Sequence, residues 1–492
     1  MMNKESLQEL VTQKLSDYLF IVVSNREPYV HNYSGSEIQC VMPASGLTTA
    51  LDPVMRACGG VWIAHGSGAA DKEVVDKSNK VRVPPEDPKY SLKRVWLSRE
   101  EEDGYYYGFS NEALWPLCHV AYTRPVFSES DWNTYKAVNQ KFADNILEEV
   151  GDKKAFVFIQ DYHLSLLSRF IKKNNPNIVT AQFWHIPWPN LEAFRICPWM
   201  EEILDGLLGN DLLGFHIQYH CNNFLNTIDR AIEARVDLER FTVVKSGERT
   251  LVRPFPISVD FEEISRESQQ DKVNQEMASL KKKLGLDNEY IGVGADRIDY
   301  TKGIPDRLKA ITLFLDRYPE YRGKFVFIMA GVPSRVHIAA YKKLNEEIDN
   351  LVEEINWKHQ SGHYRPIIYL KEHLSHTTLM ALNRMANFCI VSSLHDGMNL
   401  VAKEFVSSRT DEQGVLILSP FTGAARELTD ALLVNPYATD HFAEAIKTAL
   451  EMPRREQQRR MRKMRAVVNE NNIYKWASDI ITELVKFEFG KS

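Results

Sequence analysis

The strongest constraint on the fold is a rhythm: short apolar runs of strand length alternate with longer stretches of helical periodicity. In the first half the runs are YLFIVVS (18–24), VWIA (61–64), AFVFIQ (155–160), VTAQFWHI (179–186) and DLLGFHI (211–217). In the second half they are YIGVGA (290–295), KFVFIMA (324–330), PIIYLK (366–371), FCIVSS (388–393) and GVLILS (414–419). Apolar runs without strict alternation are what strands covered on both faces look like. Alternation with helices therefore predicts an α/β chain with two doubly wound parallel sheets. A helix closed by glycines is expected at GLTTALDPVMRACGG (46–60), and one opened by a Ser128 cap runs on from there to the glycine at 151. The Pro-rich VRPFPISVDFE (252–262) marks the boundary between the two halves. Two long polar loops, 27–45 and 81–94, interrupt the first, and loops of that length in a compact domain are usually functional or mobile.

Composition removes several function classes. Lys and Arg total 60 against 66 Asp and Glu in 492 residues, a net charge of −6, which argues against a general nucleic-acid binder. No run of 18 apolar residues predicts a membrane span, and the polar N-terminus lacks the apolar core of a secretion signal. Six cysteines without a CxxC fit free thiols in a reducing cytosol, so a cytoplasmic protein is expected. The basic segment PRREQQRRMRKMR (453–465) reads as a solvated helix face, with an anionic partner as the alternative.

Candidate chemistry sits at strand ends, where α/β sheets bind ligands. ADRIDYTKGIPDR (295–307) follows a strand and leads into a helix. Its Arg297 and Lys302 suit a diphosphate, whose departure as a leaving group needs fixed positive partners; a surface salt bridge to Asp299 or Asp306 is the other reading. SSLHDGMNLVAKEFV (392–406) places Asp396 where it can accept from sugar hydroxyls, the amides of Met398, Asn399 and Leu400 at a helix start, and Glu404 within reach of a ribose diol. Capping of that helix by Asp396 is the plainer alternative. IQDYHL (159–164) and FWHIPWP (183–189) offer Asp161, His163 and His185, and Arg26, Tyr106, Trp115 and Arg335 are polar-tipped candidates for a phosphorylated sugar. A P-loop, a GxSxG elbow and a full dinucleotide fingerprint are absent. His216 and His220 are spaced i, i+4 as on a metal-binding helix, but without the glutamate of HExxH no metal site is assigned.

Taken together, SNR (24–26), GGVW (59–62), FSNEALWP (109–116), DYHL (161–164), HIPWP (185–189), RIDYTKG (297–303), DGMNLVAKEFV (396–406) and TGAARELTDALLVNP (422–436) closely resemble the retaining sugar-nucleotide transferases of the trehalose-6-phosphate synthase family. The resemblance covers roughly residues 18 to 480. It implies a GT-B architecture: an acceptor-binding Rossmann-like domain (1–257), a nucleotide-sugar-binding one (258–466), and a C-terminal helix (467–492) crossing back to the first. It also implies site roles. Arg297 and Lys302 neutralise the diphosphate; Gly46, Asp396 and the amides of Gly397, Met398, Asn399, Leu400 and Val401 hold the donor, and Glu404 its ribose. His185 contacts the donor sugar, Asp161 lies near the reacting hydroxyls, and Arg26, Tyr106, Trp115 and Arg335, with Trp62 nearby, grip the acceptor phosphate.

The implied reaction moves glucose from a nucleoside diphosphate, UDP-glucose first among the candidates, to glucose 6-phosphate by a front-face mechanism that retains configuration. Cations and amides take the part of a metal, so no cofactor is expected and a divalent ion is at most accessory. Expected partners are small-molecule substrates, with no nucleic acid or membrane, and a homodimer or homotetramer. The chain departs from the family pattern at Ala44-Ser45-Gly46, where a Gly-Gly pair is usual, at His395, often Arg, and at Gln160, often His. Glucosylglycerol-phosphate synthases and cyclitol-phosphate pseudo-glycosyltransferases share the fold with another acceptor. A catalytically silent sensor or scaffold is the reading from a different class, opposed by the presence of Arg297, Lys302, Asp396 and Glu404.

Overall fold

The computed structural model describes residues 2–43, 46–286 and 290–489. The chain divides into two compact units, one running to Ile257 and completed by the C-terminal segment from Ile473, the other spanning Ser258–Asn472.

In the first unit a ten-stranded sheet has the order β10-β11-β12-β9-β8-β7-β1-β4-β6-β5. Its parallel centre is β1 (Leu19–Arg26), β4 (Val61–His65), β6 (Tyr90–Val95), β7 (Ala155–Gln160), β8 (Val179–Phe183), β9 (Leu212–Phe215) and β12 (Glu248–Pro254). Numbered along the chain, these seven run 7-6-5-4-1-2-3, so the winding direction reverses between β1 and β7. Every residue of β4, β7, β8 and β9 is buried, as expected of apolar runs covered on both faces. The edges are antiparallel: β5 (Lys80–Val83) on one side, β10 (Arg235–Asp237) and β11 (Thr242–Lys245) on the other. The helix Glu129–Val150 opens at Ser128, whose side chain accepts from the Asp131 amide, and closes at Gly151. The C-terminal helix Ile473–Phe489 packs Trp476 against Phe158 and Phe183, ring centroids 5.6 and 5.1 Å apart.

The polar loop 27–45 contains an antiparallel hairpin, β2 (Val30–Ser34) and β3 (Glu37–Val41). A buried ionic cluster holds its root. Arg94 reaches Glu27 and Asp71, each at 2.8 Å, and Asp71 accepts from the His31 amide at 2.8 Å. All four side chains are buried, so the pairing compensates charges that would otherwise be costly to desolvate.

The second unit carries a six-stranded, all-parallel sheet, β15-β14-β13-β16-β17-β18. The strands are β13 (Tyr290–Arg297), β14 (Phe325–Val332), β15 (Ile367–Leu370), β16 (Phe388–Val391), β17 (Val415–Leu418) and β18 (Leu432–Leu433). The order 3-2-1-4-5-6 is that of a dinucleotide-type doubly wound sheet, with its reversal between β13 and β16. Its core packs Phe314, Phe325, Phe327 and Phe388 with Ile304, Leu308 and Ile311.

The basic segment 453–465 lies in the helix Arg454–Glu470, and several of its cations are paired within the unit. Arg460 and Arg459 meet Glu456, Arg462 meets Glu412, and Arg465 donates to the carbonyls of Val406 and Ser407. That helix runs unbroken through residue 467 to Glu470, so the segment belonging to the first unit begins at Ile473 rather than at 467. Among the described residues no helix is long and apolar enough to cross a membrane.

Candidate active site

In each unit the sequence-singled residues gather at the carboxyl ends of the strands flanking the winding reversal. In the second unit these are the loops after β13 and β16. Gly303 lets them meet: its φ is +61°, and a Cβ there would stand 2.3 Å from the Ser392 carbonyl oxygen. Ser392 Oγ donates to the Lys302 and Gly303 carbonyls at 2.9 and 3.1 Å, and the Leu394 amide donates to Thr301 O at 2.7 Å. Arg307, fully buried, braces both loops, with Nε 2.9 Å from Ser392 Oγ and Nη2 2.6 Å from Asp296.

This seam brings Lys302 Nζ to 2.6 Å from Asp396 Oδ2. The same carboxylate oxygen accepts from Ser393 Oγ at 3.1 Å and Asn399 Nδ2 at 3.2 Å. Lys302 thus pairs with Asp396, not with Asp299 or Asp306. The helix Leu400–Ser408 is capped by Asn399, whose Oδ1 accepts from the Ala402 amide at 3.1 Å, so capping is not the role of Asp396. Asn399 holds φ at +87°, a strained geometry of the kind that persists where surrounding structure enforces it. The amides of Leu400 and Val401 have no backbone partner among the described residues, leaving the positive end of the helix for an anion or a sugar oxygen. At the other end of the helix, Arg465 satisfies the carbonyls of Val406 and Ser407.

Glu404, on the same helix, makes no side-chain hydrogen bond among the described residues; burial pushes its carboxyl up, and His376 only partly offsets this. Arg297 ends β13 beside this seam. Arg335, also with positive φ (+51°), is buried against Tyr341 OH at 2.6 Å and Asp299 at 3.4 Å. Asp299, although burial opposes it, is held below the usual carboxylate range by Arg335 and Arg297.

In the first unit the reversal lies between β1 and β7. Asp161 follows β7 with φ at +72° and ψ at 176°, a region otherwise occupied almost only by glycine. Its Oδ1 accepts from the Tyr162 amide at 2.9 Å and the His185 amide at 3.1 Å. Arg26 Nη2 donates to Tyr106 OH at 2.9 Å, and Tyr106 stacks on His163 with centroids 5.7 Å apart. Trp115 packs on His119 and Tyr162. The His185 ring is 2.9 Å from Gln160, and burial, then His163, pushes it down to about 3, so it is neutral near pH 7. Gly46 opens the helix Gly46–Cys58, whereas Ala44 and Ser45 lie outside the described residues.

One expectation is corrected. Trp62 is 0% exposed within β4: its indole N–H donates to Ser24 Oγ at 2.8 Å, and Ser24 Oγ in turn donates to the Arg26 carbonyl, so it supports the strand end from inside the core rather than presenting a surface to a ligand. His216 precedes the helix Gln218–Ala231 and donates to the His185 carbonyl at 2.9 Å, so His216 and His220 do not share a helical face.

Three features escaped sequence reasoning. Residues 103–114 form a π-helix that carries Tyr106, and Asn111 ties it together by donating to Tyr106 O at 2.7 Å and accepting from Tyr162 OH at 2.8 Å. Lys403, 1% exposed, pairs with Glu427 at 2.6 Å, binding the helix Leu400–Ser408 to the segment after β17. There Gly423 approaches so closely that a Cβ would stand 2.1 Å from Gly397 O. The only signal for these was membership of the quoted motifs, since no local pattern tells a buried lysine from an exposed one.

Residues 18–486 match the family model of glycosyltransferase family 20. The chain is 37% identical over 478 residues to a bifunctional trehalose-6-phosphate synthase/phosphatase of Thermoproteus tenax, covering 94% of this chain and 63% of that protein. It is 33% identical over 481 residues to an alpha,alpha-trehalose-phosphate synthase [UDP-forming] of Pichia angusta, covering 95% and 98%. Among solved structures, a UDP-forming alpha,alpha-trehalose-phosphate synthase from Burkholderia xenovorans in complex with glucose-6-phosphate superposes with a TM-score of 0.85 at 29% identity, over 94% of this chain and 99% of that one. The E. coli structure bound with UDP-2-fluoro glucose gives 0.83 at 30% identity, over 95% and 98%. Two doubly wound units with functional loops at both reversals, and matches of this extent, lead to one assignment: the chain belongs to glycosyltransferase family 20 and has its GT-B fold class.

Proposed function

We propose that this chain transfers glucose from UDP-glucose to glucose 6-phosphate with retention at the anomeric carbon, giving α,α-trehalose 6-phosphate and UDP. The observation that carries the reading is the Lys302–Asp396 pair at the β13/β16 reversal, set against an open helix N-terminus. A diphosphate needs fixed cations, and Lys302 with Arg297 supplies them; a hexose needs acceptors and donors, and Asp396 with the amides from Gly397 to Val401 supplies both. Glu404, a half-buried carboxyl without a donor of its own among the described residues, suits the two hydroxyls of a ribose.

On the first unit, Arg26 and Tyr106 form a ready pair for the acceptor phosphate, joined by Trp115. Asp161 and His185 face the reacting sugars. The cations stabilise the departing diphosphate, and a phosphate oxygen can take the proton of the attacking acceptor hydroxyl from the same face, so no carboxylate nucleophile is required. Names of relatives support this reading: both the Pichia and Burkholderia proteins are UDP-forming trehalose-phosphate synthases.

The deciding experiment is nucleotide release from UDP-, GDP- and ADP-glucose, each with glucose 6-phosphate, glycerol 3-phosphate or no acceptor, with product mass recorded. UDP release dependent on glucose 6-phosphate, with a disaccharide phosphate as product, is the expected result. Release only with glycerol 3-phosphate would replace the acceptor and leave the donor half standing.

A further inference from the structure

His185 is clamped on three sides. Its amide donates to Asp161 Oδ1 at 3.1 Å, its carbonyl accepts from His216 Nε2 at 2.9 Å, and its ring Nε2 lies 2.9 Å from Gln160 Oε1. Gln160, the last residue of β7, is fully buried; its Oε1 faces the His185 ring and its Nε2 faces the Phe158 carbonyl at 3.5 Å. An amide oxygen only accepts, so His185 Nε2 must carry the hydrogen. The proton cannot then be on Nδ1, because burial keeps the ring neutral. Nδ1 has no partner among the described residues, and His185 as a residue is half-buried.

We infer that Gln160 is a positioning residue: its Oε1 fixes His185 in the Nε2–H tautomer, so that the Nδ1 lone pair stands as a permanent acceptor for a hydroxyl of the bound hexose. This rests on the reading that His185 faces the donor sugar. The chemistry it selects is an O–H donor; a substrate offering only an ether, carbonyl or fluorine at that point meets lone pair with lone pair. A histidine at position 160, able to donate or accept, would leave both tautomers of His185 open.

The tautomer is readable without any substrate. In full-length protein labelled with ¹⁵N-histidine, two-bond ¹H–¹⁵N spectra at pH 8, with His185 identified by its loss in His185→Asn, should show Nε2 protonated and Nδ1 bare. Gln160→Met, which keeps the volume and removes the acceptor, should shift the ring toward the Nδ1–H form. A wild-type ring protonated on Nδ1, or a Gln160→Met ring unchanged, overturns the proposal.

In turnover, Gln160→Met should lower kcat/KM for the nucleotide sugar about tenfold, the worth of one hydrogen bond. A tenfold loss in Gln160→Met with the wild-type tautomer kept would reduce Gln160 to a packing residue. If instead no nucleotide sugar is turned over by the wild type while the tautomer behaves as expected, the functional reading fails and the lock stands.

Discussion

The two units solve one topological problem with opposite chemistry. Both sheets reverse their winding beside the first strand, between β1 and β7 in one and β13 and β16 in the other, and both place the candidate residues there. The second unit lines its reversal with ions paired in advance: Lys302 with Asp396, Arg307 with Asp296, Arg335 with Asp299, and behind them Lys403 with Glu427. The first unit lines its reversal with rings and neutral polar groups, Tyr106 on His163, Trp115 on Tyr162, His185 on Gln160, with Arg26 and Asp161 as the charges among them. The scaffold gives positions; the lining decides which half of a reaction each can serve. A doubly charged leaving group belongs with the ions, and a hydroxyl-rich ring with the aromatic and imidazole surfaces.

The contrast can be broken most heavily at Lys403. Removing one partner of a buried pair strands the other charge, so Lys403→Met should cost about 3–5 kcal/mol in the stability of the second unit, and adding Glu427→Gln should return much of it. Denaturant titration of the two variants checks this; a single-variant loss below about 1 kcal/mol would show that Glu427 finds water. Next in size, Lys302→Gln should lower turnover by roughly a hundredfold with its fold retained, as loss of one charge-stabilising donor does. Circular dichroism and nucleotide-release rates decide it, and near-normal turnover would remove Lys302 from the leaving-group role.

Why these tests could not all be designed from the sequence is itself physical. Strands β1, β4, β7, β8, β9 and β13–β17 coincide with apolar runs because a strand buried on both faces has no choice of composition. The hairpin β2–β3 and the edge strands β5, β10 and β11 were hidden because they are partly exposed and polar, and their pairing comes from distant residues; the root of the hairpin depends on Arg94, more than fifty residues on from β3. Site residues at strand ends were legible as types: Asp161, Arg297, Lys302 and Asp396 all stand at the reversals. Their partners were not. Trp62 reads like a binding aromatic and is core, Asp396 reads like a cap whose place Asn399 takes, and the Gln160–His185 contact joins two strands that only the sheet brings together.

The contrast extends to pH, because a buried neutral imidazole is sensitive to acid in a way a formed ion pair of a lysine and a carboxylate is not. His65, at the end of β4 in the first unit, is pushed down to about 4 by burial, against the pull of Asp71 and Glu101. The native state therefore binds fewer protons than the unfolded chain below pH 6.5. The stability this contributes is present above 6.5 and lost as pH falls toward 4. Between pH 7 and pH 5 the loss should be about 2 kcal/mol. Unfolding of wild type and His65→Gln at both pH values tests it: the variant should lose that much less, and parallel losses would place the acid sensitivity elsewhere.

The smallest effect is the most discriminating. Tyr106→Phe removes one hydroxyl, which accepts from Arg26 Nη2 at 2.9 Å, and leaves the stack on His163 intact. If Tyr106 and Arg26 together hold the acceptor phosphate, losing the hydroxyl costs one charge-assisted hydrogen bond and frees Arg26 to wander. The loss should be about 1 kcal/mol, appearing as a rise of several-fold in KM for the acceptor with the donor KM unmoved. The phosphate test is internal: an unphosphorylated acceptor should be used equally poorly by both proteins, because the missing hydroxyl has nothing to hold. A donor KM that rises instead would mean the aromatic lining of the first unit serves the nucleotide sugar, and the division of labour between the two reversals would have to be redrawn.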